Sequence, residues 1–208
     1  PHAVIFDIDD TLLHSMAADD RLYRQAIRDI VGEVQFRESL ADYEHVSDTG
    51  ILRQVLIDNG IEATASTLRT VEDTFIRSLE DYVATHGPFQ EIAGARDVIR
   101  RLQNSPDHVV ALATGCWRRS AELKLRTAGF AFGGLPLATA DDAMARDAIM
   151  QTALNALPAD PDSITYFGDG IWDQRACANL SWTFRPVGEG LNGLTAYHDV
   201  FSELAPAR

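Results

Sequence analysis

The sequence predicts an α/β fold in which a doubly wound parallel sheet carries an inserted block of helices. Short, continuous apolar runs recur along the chain, and such runs are typical of strands that are covered on both faces. Segments with helical spacing alternate with these runs, as they do in open α/β sheets. Residues 15–87 break the alternation, because they contain helical patterns and no strand pattern.

The predicted core elements follow one another in a regular order. The predicted strands span residues 4–6, 108–113 and 163–167, with a weaker one at 182–184. The predicted core helices span residues 94–102, 118–128, 142–157 and 173–180. Strands that alternate with helices in this manner are typical of a Rossmann-like, doubly wound core.

The helical block at residues 15–87 contains three apolar stripes. They lie at residues 22–30, 51–56 and 68–83, and Gly60 and Gly87 mark stops between or after them. Because the block directly follows the first strand, we predict a helical cap domain at residues 15–87. Residues 1–14 and 88–208 would then form the α/β core domain.

The charge balance restricts the classes of partner. The 208 residues include 31 acids and 18 lysines and arginines, a net charge of −13, and the pI is about 4.7. Such a chain repels phosphate backbones and anionic lipid, so neither nucleic acid nor a membrane surface is expected as a partner. The sequence shows no signal-peptide pattern and no long apolar stretch, which predicts a cytoplasmic protein. Lys124 is the only lysine, and the other 17 of the 18 lysines and arginines are arginines.

Polar residues follow three of the predicted strands, where ligands bind in doubly wound sheets. These residues are Asp7 and Asp9, then Thr114 and Gly115, and finally Asp169 and Asp173. A single Asp after a strand is commonly a turn former or a helix cap, but three strand ends of this kind favour a shared site. Several close carboxylates need a counter-charge. Mg²⁺ is expected, because it binds few carboxylates and keeps water and phosphate oxygens in its shell.

These motifs resemble those of the haloacid dehalogenase superfamily. Asp7-x-Asp9-x-Thr11-Leu12, Thr114 at a strand end and Gly168-Asp169-x-x-x-Asp173 look like its first, second and fourth motifs. The helical block resembles the C1-type cap of phosphoglycolate phosphatase-like members. The resemblance covers essentially the whole chain, and it implies a phosphatase that acts on a small phosphorylated metabolite.

The resemblance further implies phosphoryl transfer in two steps. Asp7 would attack phosphorus and form an aspartyl-phosphate. Asp9 would protonate the leaving group and then deprotonate the hydrolytic water. Mg²⁺ would be held by Asp7, Asp169 and the backbone carbonyl of Asp9. Asp173 would coordinate the ion directly or orient one of its ligands.

Four further residues are expected to contact the phosphate or the substrate. Thr114 and the backbone N–H of Gly115 would hydrogen-bond a phosphoryl oxygen. Asp48, in the segment 47–50 that opens a cap helix, resembles the cap loop that contacts substrate in this family. Trp117 follows a catalytic strand end and is a candidate for the mouth of the pocket. Helix capping by residues 47–50 and core packing of Trp117 are the plain alternatives.

The sequence departs from the family pattern at two points. Asp10 stands where the commonest pattern has Gly, and it is expected to be an outward turn residue. The third motif, which supplies a cation between nucleophile and phosphate, has two candidates. Lys124 is preferred, since a chain that otherwise uses Arg keeps a compact ammonium here. Arg146 is the alternative, because the segment 140–146 lies where that motif often falls.

Other functions fit part of the pattern. A phosphomutase of the β-phosphoglucomutase type would use the same residues but pass the phosphoryl group to a sugar. A 2-haloacid dehalogenase would use Asp7 but needs neither Asp9 nor the metal carboxylates. A phosphorylated switch or binding module, such as a receiver domain, lacks the helical insertion after the first strand. The sequence leaves the substrate and the choice between monomer and homodimer open.

Overall fold

The fold was obtained as a computed structural model, and the structure describes residues 1–204. Its centre is a single parallel sheet with the strand order β3-β2-β1-β4-β5. The strands are β1 (His2–Phe6), β2 (His108–Ala113), β3 (Leu137–Ala138), β4 (Ser163–Gly168) and β5 (Thr183–Pro186). The order reverses direction at β1, which confirms the doubly wound α/β fold that the sequence predicts.

Helices connect the strands and cover the sheet. In chain order they are α1 (Met16–Val31), α2 (Asp48–Asp58), α3 (Ala65–His86), α4 (Ala95–Gln103), α5 (Arg118–Thr127), α6 (Arg146–Asn155), α7 (Ile171–Leu180) and α8 (Val200–Glu203). Short 3₁₀ turns lie at Leu40–Asp42 and Glu189–Leu191. Within residues 1–204, every helix is too short or too polar to cross a lipid bilayer.

Strand β3, helix α8 and the start of helix α6 differ from the sequence prediction. Strand β3 has only two residues, paired from Leu137 to Leu112 of β2, and so short a segment leaves no pattern to detect. Helix α6 begins at Arg146 rather than at residue 142. The Asp142 carboxylate accepts the backbone N–H of Thr139 at 2.8 Å, which holds residues 139–142 in a turn ahead of the helix.

The strand register decides which residues meet at the carboxyl edge of the sheet. Phe6 of β1 lies opposite Leu112 of β2 on one side and Phe167 of β4 on the other. The residues that follow these three strands therefore leave the sheet side by side. The next backbone hydrogen bond, from Asp7 N–H to the Phe167 carbonyl at 2.9 Å, extends this alignment beyond the strand.

Helices α1, α2 and α3 fill the stretch between β1 and α4. Their apolar faces pack on one another, with the rings of Tyr23 and Phe75 edge to face at 5.7 Å. The cluster continues to Trp117, whose ring lies 5.6 Å from that of Tyr23. We keep the division into a cap at residues 15–87 and a core as a proposal, since one hydrophobic cluster runs through both.

Asp10 occupies a sharp turn between the end of β1 and α1. Its φ of +51° lies in the left-handed region, where Gly is favoured and Asp is among the few other residues found. Its Oδ1 accepts the backbone N–H groups of Ser15 and Met16, each at 3.1 Å. Asp10 therefore satisfies the first donors of α1 and can stand where the related motif has glycine.

Candidate active site

The carboxyl edge of the sheet brings together three carboxylates from two strand ends and one helix. Oxygens of Asp7, Asp169 and Asp173 lie within 4.8 Å of one another. Asp7 follows β1, Asp169 follows β4, and Asp173 lies in the first turn of α7, where its Oδ2 accepts the Gly170 N–H at 3.2 Å. The register of β1 and β4 produces this convergence, because both strands end at the same level.

Burial makes these carboxylates unusual. The exposed fraction is 3% for Asp7 and 0% for Asp173. Burial is the main cause that raises the pKa of Asp7 to about 7 and that of Asp169 to about 9. Within the part of the chain that the structure describes, Oδ1 of Asp7, Asp169 and Asp173 accepts no hydrogen bond. Buried carboxylate oxygens without donors need a positive group to offset their desolvation.

A hard divalent cation fits this donor set. The atoms on offer are carboxylate oxygens, which suit Mg²⁺ far better than they suit the softer metals. Two observations support the fit: each of the three carboxylates has a buried Oδ1 without a donor, and oxygens of the three lie within 4.8 Å of one another. The side chain of Asp9 does not join this cluster, because it turns towards Lys124.

Arg146 is the cation that lies beside the three carboxylates. Its Nη1 is 3.7 Å from Oδ1 of Asp7, and its Nε is 3.4 Å from Oδ1 of Asp173. Its Nη2 donates to the backbone carbonyl of Val46 at 3.0 Å, which ties the guanidinium to the segment before α2. Although burial lowers the pKa of Arg146, the charges of Asp173 and Asp7 raise it well above its usual value.

Lys124 lies elsewhere, on the far side of Asp9. Its side chain is fully buried, and its Nζ donates to Oδ1 of Asp9 at 2.7 Å and to Oδ2 at 2.8 Å. The same Nζ donates to Oδ1 of Asp19, in α1, at 2.6 Å. The cation that the sequence favours for a place beside Asp7 therefore contacts Asp9, and the alternative, Arg146, contacts Asp7.

The Asp9 carboxylate is surrounded by donors. Besides Lys124, it accepts hydrogen bonds from the hydroxyl of Ser15 and from the thiol of Cys116, the latter at 2.6 Å. Burial raises the pKa of Asp9, but the Lys124 charge and these hydrogen bonds outweigh that effect and hold it below its usual value. Asp9 is therefore ionised at neutral pH in this arrangement.

Thr114 and Gly115 lie where the chain leaves β2. Thr114 is 1% exposed, and its hydroxyl contacts Cys116, whose N–H donates to it at 3.3 Å. Gly115 has no room for a side chain. A Cβ there would lie 2.7 Å from Nη2 of Arg146 and 2.8 Å from the carbonyl oxygen of Val46. The backbone at Gly115 thus approaches the guanidinium closely.

The start of α2 is hydrogen-bonded to the loop after β2. The Asp48 N–H donates to the Gly115 carbonyl at 2.7 Å, and Asp48 Oδ2 accepts the Trp117 N–H at 2.8 Å. The Trp117 indole donates to Thr49 at 2.9 Å and packs in the apolar cluster. Trp117 therefore supports the position of Asp48, consistent with the core-packing alternative.

A small cavity of about 50 Å³ opens between the carboxylates and the helical block. Its polar lining comes from the strand ends, from α1 and α2 and from the start of α6, and Trp172 also contributes to the lining. The lining includes Asp7, Asp9, Asp19, Asp48, Thr114, Gly115, Cys116, Arg146 and Trp172.

Sequence reasoning missed Asp19, Ser15 and Cys116. No motif marks Asp19, which is one acid among several in α1, and only the docking of that helix reveals it. Cys116 follows the Thr114-Gly115 pair directly, so its proximity to the strand end was a usable signal.

Comparison with known proteins gives the family context. Residues 1–180 match a family model described as haloacid dehalogenase-like hydrolase. No curated protein sequence matches the chain.

Solved structures share the fold. A hydrolase from Pseudomonas syringae has a TM-score of 0.71 at 18% identity, over 88% of this chain and 83% of that one. CbbY from Rhodobacter sphaeroides, in complex with phosphate, has a TM-score of 0.67 at 17% identity, over 96% and 90%. A β-phosphoglucomutase from Clostridium difficile has a TM-score of 0.68 at 13% identity, over 91% and 86%. At these identities the likeness shows the fold.

Proposed function

The chain belongs to the haloacid dehalogenase-like hydrolase family, and on that premise we propose that it is a Mg²⁺-dependent phosphatase of a small phosphorylated metabolite. One observation carries the proposal. Two buried carboxylates, Asp7 and Asp173, and the half-buried Asp169, each with a buried unpaired oxygen, lie at one edge of the sheet beside the largely buried side chain of Arg146. This arrangement offers a nucleophile, a cation site and a fixed positive charge within one small volume.

Asp7, Asp169 and the backbone carbonyl of Asp9 would hold Mg²⁺, with Asp173 binding it or orienting one of its ligands. The bound ion supplies positive charge that reduces repulsion between the Asp7 carboxylate and an anionic phosphate. Asp7 is the nucleophile: a carboxylate oxygen bonds to phosphorus while the bond from phosphorus to the leaving oxygen breaks. The product of this step is an aspartyl-phosphate on Asp7.

Asp9 carries the proton in both steps. It gives a proton to the leaving oxygen in the first step and takes one from the attacking water in the second. The ionised form that Lys124 stabilises is the form that the second step needs. A bound phosphate raises the pKa of a neighbouring carboxyl, which favours the protonated form for the first step.

Arg146, Thr114 and Gly115 would bind the phosphoryl group. Arg146 is the best-placed third-motif cation, because it contacts Asp7 and Asp173 directly. The Thr114 hydroxyl and the Gly115 N–H would donate to phosphoryl oxygens as negative charge spreads over them. Asp48 lines the cavity from the cap side and would contact the rest of the substrate.

The proposed activity is tested by phosphate release from a panel of phosphomonoesters that includes a generic aryl phosphate. We expect release that requires Mg²⁺ and stops when EDTA removes the ion. Addition of Mg²⁺ after EDTA should restore it. If the purified protein releases no phosphate from any member of the panel with Mg²⁺ present, the phosphatase proposal is wrong.

A phosphomutase is the second candidate. Its support is the shared fold with the β-phosphoglucomutase from C. difficile, and the same Asp7 and Asp9 would serve it. The two activities differ in the acceptor for the phosphoryl group, which is water in one case and a sugar hydroxyl in the other. Incubation with hexose phosphates distinguishes them, because a mutase yields an isomeric sugar phosphate without net phosphate release.

Substitution Gly115→Ala tests the close approach at the phosphate site. The added methyl group must displace either the Arg146 guanidinium or the Val46 carbonyl. Since small misplacements of positioning groups are costly, we expect kcat/KM for the aryl phosphate to fall about 10- to 100-fold. Gly133→Ala is the matched control, because a Cβ at Gly133 meets no atom within 4 Å. Equal activity of the two variants would count against the assigned role of Gly115.

Removal of metal should make stability depend on pH. The pKa values of Asp7 and Asp169 are raised to about 7 and about 9, whereas an unfolded Asp titrates near 3.9. The folded state therefore binds more protons, and stability falls as the pH rises above about 4. Each group contributes up to about 1.4 kcal/mol per pH unit, Asp7 until about pH 7 and Asp169 until about pH 9.

Thermal unfolding in EDTA and in Mg²⁺, at several pH values between about 5 and 8, measures this effect. We expect Tm in EDTA to fall by several degrees across this range. With Mg²⁺ bound, the ionised carboxylates are paired, so the fall should be much smaller. Parallel curves in the two buffers would contradict the assignment of these carboxylates to a metal site.

A further inference from the structure

We propose that Asp19 and Lys124 are positioning residues, which together hold the Asp9 carboxylate in place across the boundary between α1 and the core. The inference rests on the proposed function, because it assigns a reason for the exact placement of the acid/base residue. It also gives Lys124 a role other than the third-motif cation.

The three side chains form one buried unit, which we name the Asp9–Lys124–Asp19 triad. The exposed fraction is 0% for Lys124, 5% for Asp9 and 6% for Asp19. The ammonium of Lys124 contacts both oxygens of Asp9, at 2.7 and 2.8 Å, and Oδ1 of Asp19, at 2.6 Å. An ammonium has three N–H donors, so these three short contacts use its hydrogen-bonding capacity. The Cys116 sulfur, at 3.3 Å, completes its surroundings.

Asp19 fixes the position of the ammonium. A lysine side chain has four rotatable methylene bonds and three freely turning donors, so one carboxylate alone leaves it several ways to pair. A second carboxylate on the opposite side leaves one position that satisfies both. Because Lys124 contacts both oxygens of Asp9, fixing the ammonium also fixes the rotation of the Asp9 carboxyl group.

The triad joins three separate elements. Asp9 follows β1, Lys124 belongs to α5 of the core, and Asp19 belongs to α1 of the proposed cap. The Asp19–Lys124 contact therefore exists only while α1 lies against α5. The Asp9 carboxylate is therefore fixed by Lys124 and Asp19 together while α1 covers the cavity. If α1 moves away, the contact between Asp19 and Lys124 is lost.

The two basic side chains of the site, Lys124 and Arg146, contact different carboxylates. Arg146 contacts Asp7 and Asp173, and Lys124 contacts Asp9 and Asp19. Loss of Arg146 should therefore weaken phosphate binding and lower the ionised fraction of the nucleophile Asp7. Substitution of Asp19 or Lys124 should instead slow proton transfer by Asp9. In kinetic terms the triad variants should lower kcat and change KM little.

Four variants test the inference with the aryl phosphate in Mg²⁺: Asp19→Asn, Asp19→Glu, Lys124→Gln and the double variant Asp19→Asn/Lys124→Gln. Asp29→Asn is the matched control, since Asp29 is an exposed acid on the same helix. Melting curves and Mg²⁺ binding by calorimetry accompany the kinetics of each variant.

We expect Asp19→Asn to lower kcat about 10-fold and Lys124→Gln about 100-fold, the latter at the lower end of the range for general acid–base catalysis, with KM changed by less than about threefold. Asp19→Glu keeps the charge and should recover part of the loss. The double variant should be no slower than Lys124→Gln, because Asp19 acts only through Lys124. Mg²⁺ affinity should match that of the wild type, since the oxygens assigned to the ion are unchanged.

Three results would overturn the inference while the wild type remains active. They are an Asp19→Asn kcat equal to that of Asp29→Asn, effects of Asp19→Asn and Lys124→Gln that multiply in the double variant, or an effect confined to KM. If Lys124→Gln does not fold, the kcat values of Asp19→Asn and Asp19→Glu, compared with that of Asp29→Asn, are sufficient to test the inference. A wild type that releases no phosphate would instead refute the proposed function, and this inference with it.

Discussion

Asp7→Asn should abolish phosphate release, lowering kcat by about 10⁴-fold or more, as expected for loss of a covalent nucleophile. The amide has nearly the same shape as the carboxylate but cannot attack phosphorus. Asp7 is 3% exposed and lies at the end of the central strand β1, so the substitution removes chemistry without removing volume. The neighbouring carboxylates Asp169 and Asp173 belong to other positions, after β4 and within α7, so neither occupies the place of Asp7.

The measurement is phosphate release from the aryl phosphate in saturating Mg²⁺, with Asp81→Asn, an exposed acid on α3, as control. We expect the control to match the wild type. The Asp7→Asn protein should melt at least as high as wild type in EDTA, because a neutral amide removes one buried charge from the cluster. Turnover by Asp7→Asn within tenfold of wild type would contradict the assignment of the nucleophile.

Arg146→Met should cause the second largest loss, with kcat/KM falling about 10²- to 10³-fold, as for removal of a preorganised charge from a site of this kind. Its guanidinium lies 3.7 Å from Asp7 and 3.4 Å from Asp173, and within residues 1–204 it is the basic side chain that forms an ion pair with the nucleophile. Without it, the phosphate loses a binding partner. The pKa of Asp7 should also rise further, since the Arg146 charge opposes the effect of burial.

Two readouts separate Arg146→Met from a general loss of structure. KM should rise together with the fall in kcat, because the side chain binds phosphate in the ground state as well. The acidic limb of the pH profile should move to higher pH, because Asp7 must be ionised to act. Arg126→Met, an exposed change on α5, serves as control. Unchanged kcat/KM in Arg146→Met would return the third-motif role to Lys124.

The sheet and the carboxylate cluster were predictable because local pattern determines both. Continuous apolar runs identify β1, β2 and β4, and Asp7 and Asp169 directly follow two of them. Parallel strands that end at one level must place the following residues together. That consequence of register needs no knowledge of side-chain packing, so the sequence alone predicts a shared site.

The partners of the two buried cations could not be predicted in the same way. Lys124 and Arg146 both lie on elements that follow the second motif, and the sequence does not say which carboxylate each faces. The outcome depends on the turn at residues 139–142, which delays α6 until Arg146, and on the docking of α1. Both are tertiary effects, and the preference for Lys124 beside Asp7 rests only on composition and on the resemblance to family members.

Asp19 illustrates the same limit more strongly. The apolar stripe of α1 predicts a helix, but Asp19 is a buried acid within an amphipathic segment that also carries exposed acids. Asp19 differs from the exposed acids of α1 only by its contact with Lys124. That residue belongs to a helix more than a hundred residues further along the chain. Buried ion pairs between distant segments leave no periodic signal, and this is why the triad emerges only from the structure.

The central claim is that Asp7 carries the phosphoryl group, and direct trapping of the phosphoenzyme tests it. In Asp9→Asn, hydrolysis of the aspartyl-phosphate lacks its general base, whereas the aryloxide of an aryl phosphate leaves readily without an acid when its phosphoryl group passes to Asp7. Rapid acid quench followed by peptide mass spectrometry should therefore find one phosphoryl group on the peptide that contains Asp7. The same experiment with Asp7→Asn should find none. Phosphate release without a modified chain, or a phosphoryl group on another residue, would contradict the account.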